Sequence, residues 1–135
     1  METQNKFGLK KDHDALLVAN LEVSLQFYRD ILGFKEIYNA GLGEKFKWIK
    51  AANDVQIHLI ESEEKPEKNK GVHLAFNTPK LDDFIAFLRN NNVTFENSNG
   101  TADTTNTRPD GVLQIYFQDP DGYWIEVNNS KLEDF

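Results

Sequence analysis

Several residue types are scarce or absent in this sequence of 135 residues. It has no cysteine, one methionine and four prolines. Without cysteine, a disulfide framework, a thiolate metal site and a thiol nucleophile are all excluded. No apolar run approaches the roughly 18 residues that a membrane-spanning helix needs. The first residues, Met1 to Phe7, lack the apolar stretch of a signal peptide. We therefore expect a cytoplasmic protein.

A surplus of positive charge is also missing. Fifteen Lys and Arg residues face 22 Asp and Glu residues, which leaves a net charge of −7. Nucleic-acid binding needs a basic surface that displaces counterions from phosphates, and anionic membranes attract basic segments. The charge argues against both kinds of partner. With 39% hydrophobic residues and ten Phe, the chain is expected to fold as a single globular domain.

The sequence contains an internal repeat. His13 opens one apolar run and His73 opens another, 60 positions later (73 − 13), and Leu21 maps onto Leu81 by the same shift. Each half closes with an apolar segment that carries one polar group, His58 in VQIHLI and Glu126 in YWIEV. A repeat of this kind determines the architecture, so two copies of one module are expected.

The first module is predicted at residues 12–61, as a strand, a helix and three strands. A strand is expected at 12–18, and Asn20 is a suitable N-cap for the helix that follows. Gly33 is predicted to end that helix as the residue after the C-cap. The helix buries a stripe at helical spacing, and the remaining strands follow: Leu21, Leu25, Tyr28 and Leu32 in the stripe, and strands at 34–39, 45–50 and 55–61.

A charged linker, residues 62–71, leads to the second module at residues 72–129. Thr78 is predicted to cap its helix with Pro79 in the first position, and Asn90 to Asn92 to end it. The buried stripe is Leu81, Phe84, Ile85 and Leu88. A short strand at 93–96, a polar loop at 97–111 and strands at 112–118 and 123–129 complete the module. The last two strands are joined by a tight turn, DPDG at 119–122.

The repeat-related polar residues are all metal-ligand types. A charged Glu126 among Trp, Ile and Val needs a partner if it is buried, and a divalent cation is one such partner. Imidazole nitrogens with one carboxylate suit zinc, nickel, cobalt, iron or manganese better than calcium or magnesium. A lone histidine at a strand start is more often an ordinary polar residue. The joint pattern of His13, His58, His73 and Glu126 favours a site for one divalent transition metal.

Two longer motifs carry a family resemblance. Residues 24–34 read SLQFYRDILGF and residues 118–127 read QDPDGYWIEV. With the paired modules, they resemble the vicinal oxygen chelate superfamily, which includes glyoxalase I, fosfomycin-resistance proteins, extradiol dioxygenases and methylmalonyl-CoA epimerase. The resemblance covers residues 12–129. It implies an α+β fold of two tandem βαβββ modules, half-barrels of mixed sheet that enclose a metal and are completed across a homodimer.

Within that superfamily the chain looks most like bacterial glyoxalase I, whose ligands are His, Glu, His and Glu. His13, His73 and Glu126 match three of them, whereas His58 stands where the family enzyme has a carboxylate. Leu17 and Ser62 stand where that enzyme has an Arg and an Asn that contact glutathione. Loss of those charge-assisted hydrogen bonds argues against a glutathione adduct as the substrate.

The main hypothesis is a metal-dependent, glyoxalase-like lyase or isomerase acting on a small oxygen-chelating substrate, with Glu126 as the proton-transfer residue. The alternatives are a mononuclear iron(II) dioxygenase using His13, His73 and Glu126, and a non-enzymatic small-molecule-binding protein of the resistance type. Weaker candidates for the substrate pocket are Trp48, Arg108, Tyr116 and Trp124. Plain core positions for these aromatic residues and a solvated loop for Arg108 are the competing interpretations.

Overall fold

The computed structural model describes residues 5–131, and these contain two helices and eight strands. Residues 1–4 of the N-terminal stretch considered above lie outside the described range. The chain separates into two compact units, with the division between Pro66 and Glu67. The first contains β1 (His13–Val18), α1 (Leu21–Asp30), β2 (Lys35–Ile37), β3 (Phe46–Lys50) and β4 (Gln56–Glu61). The second contains β5 (His73–Asn77), α2 (Leu81–Asn90), β6 (Asn106–Thr107), β7 (Leu113–Gln118) and β8 (Trp124–Asn128).

Each unit has one four-stranded mixed sheet of the same topology. The strand orders are β1-β4-β3-β2 and β5-β8-β7-β6. The first and last strands of each unit run parallel, and the other neighbours are antiparallel. The helix and the two strands that follow it connect the parallel pair of each unit, and they form the long crossover that parallel pairing requires. The predicted α+β fold of two βαβββ modules is confirmed.

Helix α1 begins where its sequence predicts, but its C-cap is Ile31, so the predicted position of Gly33 directly after the C-cap is wrong. The Asn20 side chain accepts a hydrogen bond from the Val23 N–H at 3.1 Å, which satisfies one of the free donors of the first turn. Gly33, with φ of +72°, turns the chain so that the Phe34 N–H donates to the Tyr28 carbonyl at 3.0 Å. Leu32, predicted in the buried stripe, lies beyond the helix and is half-buried.

The predicted start of α2 is wrong, whereas its predicted end is confirmed. The helix begins at Leu81 after Lys80, which caps it without a side-chain hydrogen bond. The Thr78 hydroxyl accepts from the Lys80 N–H and so closes a separate turn before the helix. At the other end, Asn92 adopts φ of +57°, and the Val93 N–H donates to the Leu88 carbonyl at 2.9 Å.

The predicted strand at 93–96 is also wrong. Only Glu96 pairs there, through isolated bridges to Ala102 and Tyr116. The Asn97 side chain accepts from the N–H groups of Asn99 and Thr101, and this local turn ends the pairing after one residue. The edge strand lies instead at β6, inside the segment 97–111 that was predicted as a polar loop.

One face of each sheet is apolar and the other carries the candidate ligands. In β4, Ile57 and Leu59 are buried, and α1 packs on β3 and β4. Side chains alternate along a strand, so His58 points to the opposite face. In β8, Ile125 and Val127 are buried, and Glu126 lies opposite them by the same rule. Neither helix of residues 5–131 has the length and apolar character needed to cross a bilayer.

Candidate functional site

In the first unit, three aromatic rings form a continuous stack. The His58 ring lies between Trp48, with ring centroids 3.7 Å apart and planes 1° from parallel, and His13, with centroids 3.8 Å apart and planes at 15°. The strand register produces this arrangement, because Trp48 lies directly opposite His58 on the antiparallel neighbour. His13 pairs with Gln56, two residues before His58, on the parallel neighbour.

The stack restricts how His13 and His58 could bind a metal. A cation bonds an imidazole nitrogen in the plane of the ring, at about 2.0–2.1 Å. Two nearly parallel rings stacked 3.8 Å apart cannot both point an in-plane lone pair at one ion. One ring must rotate before both nitrogens can bind it. His13 is the ring with room to do so, because it is exposed, although rotation would break the 2.7 Å contact of its Nδ1 with the Asp12 carboxylate.

His58 is held as a neutral imidazole. It is 7% exposed, and its Nε2 lies 2.8 Å from the side-chain oxygen of Gln56. Burial lowers the pKa of His58, and the neighbouring His13 lowers it further, against an opposing effect of Asp12. Because the Gln56 oxygen is an acceptor, Nε2 carries the proton and Nδ1 retains the lone pair. A neutral imidazole is the form that binds metals.

In the second unit, His73 and Glu126 are a direct pair. His73 Nε2 lies 3.1 Å from Glu126 Oε1, and His73 Nδ1 lies 2.8 Å from the Lys70 carbonyl oxygen. Both ring nitrogens therefore face acceptors. Nδ1 donates to the carbonyl. Nε2 faces a carboxylate, and that contact is favourable only when Nε2 also carries a proton or when both atoms bind a cation. This is the ring environment of a metal-ligating histidine, whose other N–H is fixed by a backbone carbonyl.

Glu126 is buried, at 6% exposure, yet both of its oxygens are hydrogen-bonded. Oε2 accepts from Gln114 Nε2 at 3.0 Å and from Asn128 Nδ2 at 2.6 Å, and Oε1 accepts from the Tyr116 hydroxyl at 2.9 Å. Burial alone would raise the pKa of Glu126. The three hydrogen bonds and His73 outweigh it, so the pKa lies below the ordinary value. The carboxylate is ionised near neutral pH, as a ligand must be.

Tyr116 stays protonated beside this carboxylate. Burial, with the hydrogen bond to Glu126, raises the pKa of Tyr116 to about 12. Its position repeats that of Trp48, because Tyr116 pairs with Glu126 in the antiparallel ladder as Trp48 pairs with His58. Each unit thus places an aromatic residue directly opposite the candidate ligand of its last strand. The aromatic residue stacks on the ligand in one unit and donates a hydrogen bond to it in the other.

The remaining predicted pocket residues differ in their surroundings. Trp124 is half-buried and pairs with His73 in the parallel ladder, and the Lys70 ammonium lies 5.1 Å from its ring centre. Arg108 is occupied by an ion pair, since its Nε and Nη2 donate to the two Asp110 carboxylate oxygens at 2.9 and 2.6 Å. This two-bonded ion pair, the Arg108–Asp110 fork, offsets the charge of the guanidinium that was predicted as a weak contact for an anionic substrate.

The four sequence-predicted ligands are found as two pairs, one in each unit. Within residues 5–131, no group of three or more His, Asp or Glu side chains is arranged to hold a metal ion. His73 Nε2 and Glu126 Oε1 are 3.1 Å apart, close to the separation of two ligand atoms that share one ion, but in this arrangement they contact each other directly. His13 and His58 have suitable donors but need the ring rotation described above. The donor types fit a divalent transition metal.

Sequence reasoning missed Gln114, Asn128 and Lys70. The first two contact Glu126 directly, and the Lys70 carbonyl holds the His73 ring. Period-two alternation could have identified the first two. Asn128 is two residues beyond Glu126, and Gln114 is two residues before Tyr116, so each shares a sheet face with a residue of the site. No comparable signal marks Lys70 in the charged segment 62–71.

Comparison with known proteins is consistent with this architecture. Residues 10–127 match the family model described as Glyoxalase/Bleomycin resistance protein/Dioxygenase superfamily. The uncharacterized protein YwbC of Bacillus subtilis (strain 168) is 29% identical over 122 residues, which span 85% of this chain and 93% of that protein.

Two solved structures share the fold at low sequence identity. Oxidase ChaP-H2 superposes with a TM-score of 0.77 at 20% identity, over 94% of this chain and 98% of that one. The genomically encoded fosfomycin resistance protein FosX of Listeria monocytogenes superposes with a TM-score of 0.73 at 22% identity, over 92% and 95% of the two chains. The chain belongs to the Glyoxalase/Bleomycin resistance protein/Dioxygenase superfamily.

Proposed function

We propose that this protein is a metal-dependent enzyme, a glyoxalase-like lyase or isomerase that acts on a small substrate with neighbouring oxygen atoms. The observation that carries the proposal is the His73–Glu126 pair. Its nitrogen and oxygen face each other at 3.1 Å while the second ring nitrogen donates to a backbone carbonyl. A half-buried histidine with acceptors at both nitrogens is poised to bind a cation.

The residues proposed to hold the metal are His13, His58, His73 and Glu126. Zinc, nickel, cobalt, iron and manganese are the ions that suit three imidazoles and one carboxylate. A divalent cation at these donors would supply Lewis-acid stabilisation of negative charge developing on a substrate oxygen. One carboxylate with three neutral imidazoles leaves such a site a net charge of about +1, which favours an anionic or polarised substrate.

Glu126 is proposed as the proton-transfer residue as well as a ligand. Its lowered pKa keeps it ionised and able to accept a proton at neutral pH. Oε1 is the oxygen available for this role, since Oε2 already accepts two amide hydrogen bonds. Tyr116, whose pKa is raised to about 12, keeps its proton and remains a hydrogen-bond donor to Oε1 whether Glu126 is charged or neutral.

Trp48 supports a substrate that carries an acceptor oxygen. Its indole nitrogen is buried and, in the part of the chain that the structure describes, has no hydrogen-bond partner. Such a donor costs about 1–3 kcal/mol when left unpaired. A substrate oxygen would offset that cost. Leu17 and Ser62 stand at the positions whose Arg and Asn contact glutathione in glyoxalase I, so a glutathione adduct is not the substrate proposed.

A second candidate function is an iron(II) dioxygenase with His13, His73 and Glu126 as its three ligands. The stack favours it, because His58 is fixed between Trp48 and His13 and its Nε2 is occupied by Gln56. If His58 Nδ1 does not reach the ion from that fixed position, three donors remain. Such a site would leave more coordination positions for oxygen and substrate than a four-ligand site.

The deciding experiment begins with the metal content of the purified protein, measured by elemental analysis. One transition-metal ion per chain is expected, and tight binding of none of the five metals would favour the non-enzymatic, small-molecule-binding alternative. Iron loaded without oxygen is then tested for oxygen uptake with small catechols and 2-oxo acids, while zinc, nickel or cobalt protein is tested with 2-oxoaldehydes and epimerisable acids. Oxygen uptake that depends on iron would support the dioxygenase instead.

Glu126→Asp provides the matched test of the proton-transfer role. It keeps a carboxylate but withdraws it by one methylene. Metal affinity is expected to fall by about 10-fold, in the range for a disturbed ligand shell. Turnover by fully loaded protein should fall by about 100-fold, as for a displaced general base. Equal losses in both quantities would leave Glu126 as a ligand only.

A further inference from the structure

The residues around Glu126 distinguish its two carboxylate oxygens, and the hydrogen bonds responsible extend beyond the contacts used in the proposed function. Two carboxamides, Gln114 and Asn128, donate to the same carboxylate oxygen, Oε2, and both are buried, at 9% and 7% exposure. The other oxygen, Oε1, faces His73 Nε2 and the Tyr116 hydroxyl. A carboxylate has two equivalent oxygens, so this asymmetry must come from the residues around it.

Each carboxamide is oriented by a separate hydrogen bond to its own oxygen. Gln114 Oε1 accepts from Asn106 Nδ2 at 2.8 Å, and Asn106 Oδ1 accepts from the Ser98 N–H at 2.8 Å. Asn128 Oδ1 accepts from the Ser130 N–H at 3.0 Å. A backbone N–H can only donate, so each chain of hydrogen bonds has one allowed direction. Both series of hydrogen bonds therefore end with an amide NH2 group that donates to Glu126 Oε2.

We propose that Gln114 and Asn128 are positioning residues that hold Glu126 Oε2 and leave Oε1 as the single oxygen that can bind a cation or take a proton. Asn106 acts through Gln114, because it determines which end of the Gln114 amide faces the carboxylate. This series of hydrogen bonds thereby connects the backbone N–H of Ser98, in the segment between α2 and β6, to Glu126. This inference rests on the proposed function in treating Glu126 as a ligand, but the hydrogen-bond direction itself needs no metal.

Gln114→Met is the main variant, because it keeps the length of the side chain and removes the donor. Gln118→Met is its matched control. Gln118 lies on the same strand and donates to the Gly122 carbonyl at 3.0 Å, away from Glu126. Calorimetric titration with zinc or manganese should give Gln114→Met a Kd about 10–100-fold weaker than the parent, and Gln118→Met a Kd within twofold of it.

Asn106→Asp tests the direction of these hydrogen bonds without a substitution at Glu126, Gln114 or Asn128. The aspartate still accepts from the Ser98 N–H but cannot donate to Gln114, so Gln114 turns its NH2 group towards position 106. Its oxygen then faces Glu126 Oε2, which repels it. Metal binding should weaken by about 10-fold, even though the added negative charge would by itself attract a cation. This variant keeps the proposal testable if Gln114→Met does not fold.

Glu126→Gln gives a sharper outcome. With two NH2 groups aimed at the Oε2 position, the new amide must place its own oxygen there and its NH2 group towards His73. An NH2 group cannot bind a metal, so Glu126→Gln should lose the metal as completely as Glu126→Ala. If it binds within tenfold of the parent, the orienting role is wrong.

Infrared difference spectra of metal-free protein separate this inference from the proposed function. The carboxylate stretch of Glu126, obtained by subtraction of the Glu126→Gln spectrum, should shift in Gln114→Met and Asn106→Asp and stay in place in Gln118→Met. A parent that holds no metal would remove the proposed function, and the shift would still decide the inference. Unshifted bands, or equal Kd values for the variants at 114 and 118, would overturn it.

Discussion

His73 Nε2 lies 3.1 Å from Glu126 Oε1, and the two residues sit on neighbouring parallel strands of one sheet. The other candidate ligands, His13 and His58, are also on neighbouring parallel strands, yet their rings stack face to face. One pair thus makes a nitrogen–oxygen contact and the other a ring stack. This difference separates the roles of the two pairs and leads to distinct predictions for their variants.

Removal of His73 should affect metal binding more than removal of His13. His73→Ala leaves Glu126 without the nitrogen that faces it, and the expected loss in metal affinity is at least about 100-fold. His13→Ala should cost less, because His13 must first leave its stack to bind. Calorimetric titration of both variants with zinc checks the order. A larger loss for His13→Ala would mean that its ring is already turned to the metal in solution.

His58→Ala should destabilise the fold, whatever its effect on metal. The substitution removes a buried ring that stacks on two others, and each aromatic contact contributes about 0.5–1.5 kcal/mol. Urea unfolding of metal-free protein should show a loss of about 1–3 kcal/mol. His13→Ala, which removes one exposed stacking contact, is the control and should lose less. Unchanged metal affinity in His58→Ala would reduce the site to three ligands.

Lys70 should support metal binding through the backbone. Its ammonium donates to Glu96 Oε2 at 2.6 Å and to the Asn97 carbonyl at 2.7 Å, and its own carbonyl holds the His73 ring. Lys70→Met releases these anchors, so His73 is less well oriented. We expect zinc affinity to fall by about 10-fold.

Lys68→Met is the matched control for that prediction. Lys68 belongs to the same segment, and its ammonium lies 4.6 Å from the ring centre of Tyr123, away from the ligand pair. Its zinc affinity should equal that of the parent. Loss of a positive charge by itself favours cation binding, so similar losses in the two lysine variants would point to a general disturbance of the segment 62–71 and not to the Lys70 anchors.

The Arg108–Asp110 fork predicts a pH dependence of stability in acid. The hydrogen bond from Arg108 is the main cause that lowers the pKa of Asp110 from 3.8 to about 2. The folded state therefore holds this proton less tightly than the unfolded chain. The stability that the ion pair contributes is complete above pH 3.8 and is lost as the pH falls through about 2.

Asp110→Asn should remove that part of the pH dependence. Thermal unfolding of the parent and the variant, measured between pH 5 and pH 2, should give curves that converge at the acid end. Parallel curves over the whole range would mean that the fork does not persist in solution. Because both side chains are exposed, the effect is expected to shrink in high salt.

We expect the protein to be a homodimer. Each chain supplies two donor pairs, and the superfamily resemblance implies barrels completed by a second subunit, so a dimer would hold two equivalent sites. Sedimentation velocity at micromolar concentration should give twice the chain mass of 15.5 kDa. A species of 15.5 kDa alone would contradict this expectation.

Much of the fold follows from local patterns in the sequence. The Asn20 cap, the Gly33 and Asn92 helix ends and the DPDG turn, where Asp119 Oδ1 accepts from the N–H groups of Asp121 and Tyr123, are local signals. Strand alternation correctly placed His58 opposite the buried Ile57 and Leu59. These features depend on a few neighbouring residues, which is why they are readable without a structure.

Other features depend on contacts between distant residues. Strand β6 exists where Asn106 and Thr107 meet β7, and the Asn106 side chain bonds both Ser98 and Gln114. No periodicity in the polar segment 97–111 indicates this pairing. The stacking of His13 on His58 depends on side-chain rotamers, which sequence spacing does not determine. The ligand types could therefore be predicted, but their present arrangement could not.

The parallel register has an evolutionary consequence. In the first unit Ala15 pairs with His58, and in the second Ala75 pairs with Glu126, so the first-strand histidine lies two residues before the paired alanine in both. A single ancestral module would therefore carry two donor groups, and its duplication would carry the register with them. After duplication, each pair could diverge without disturbing the other. Replacement of a carboxylate by His58 in one copy, while Glu126 is retained in the other, is the kind of change that such independence permits.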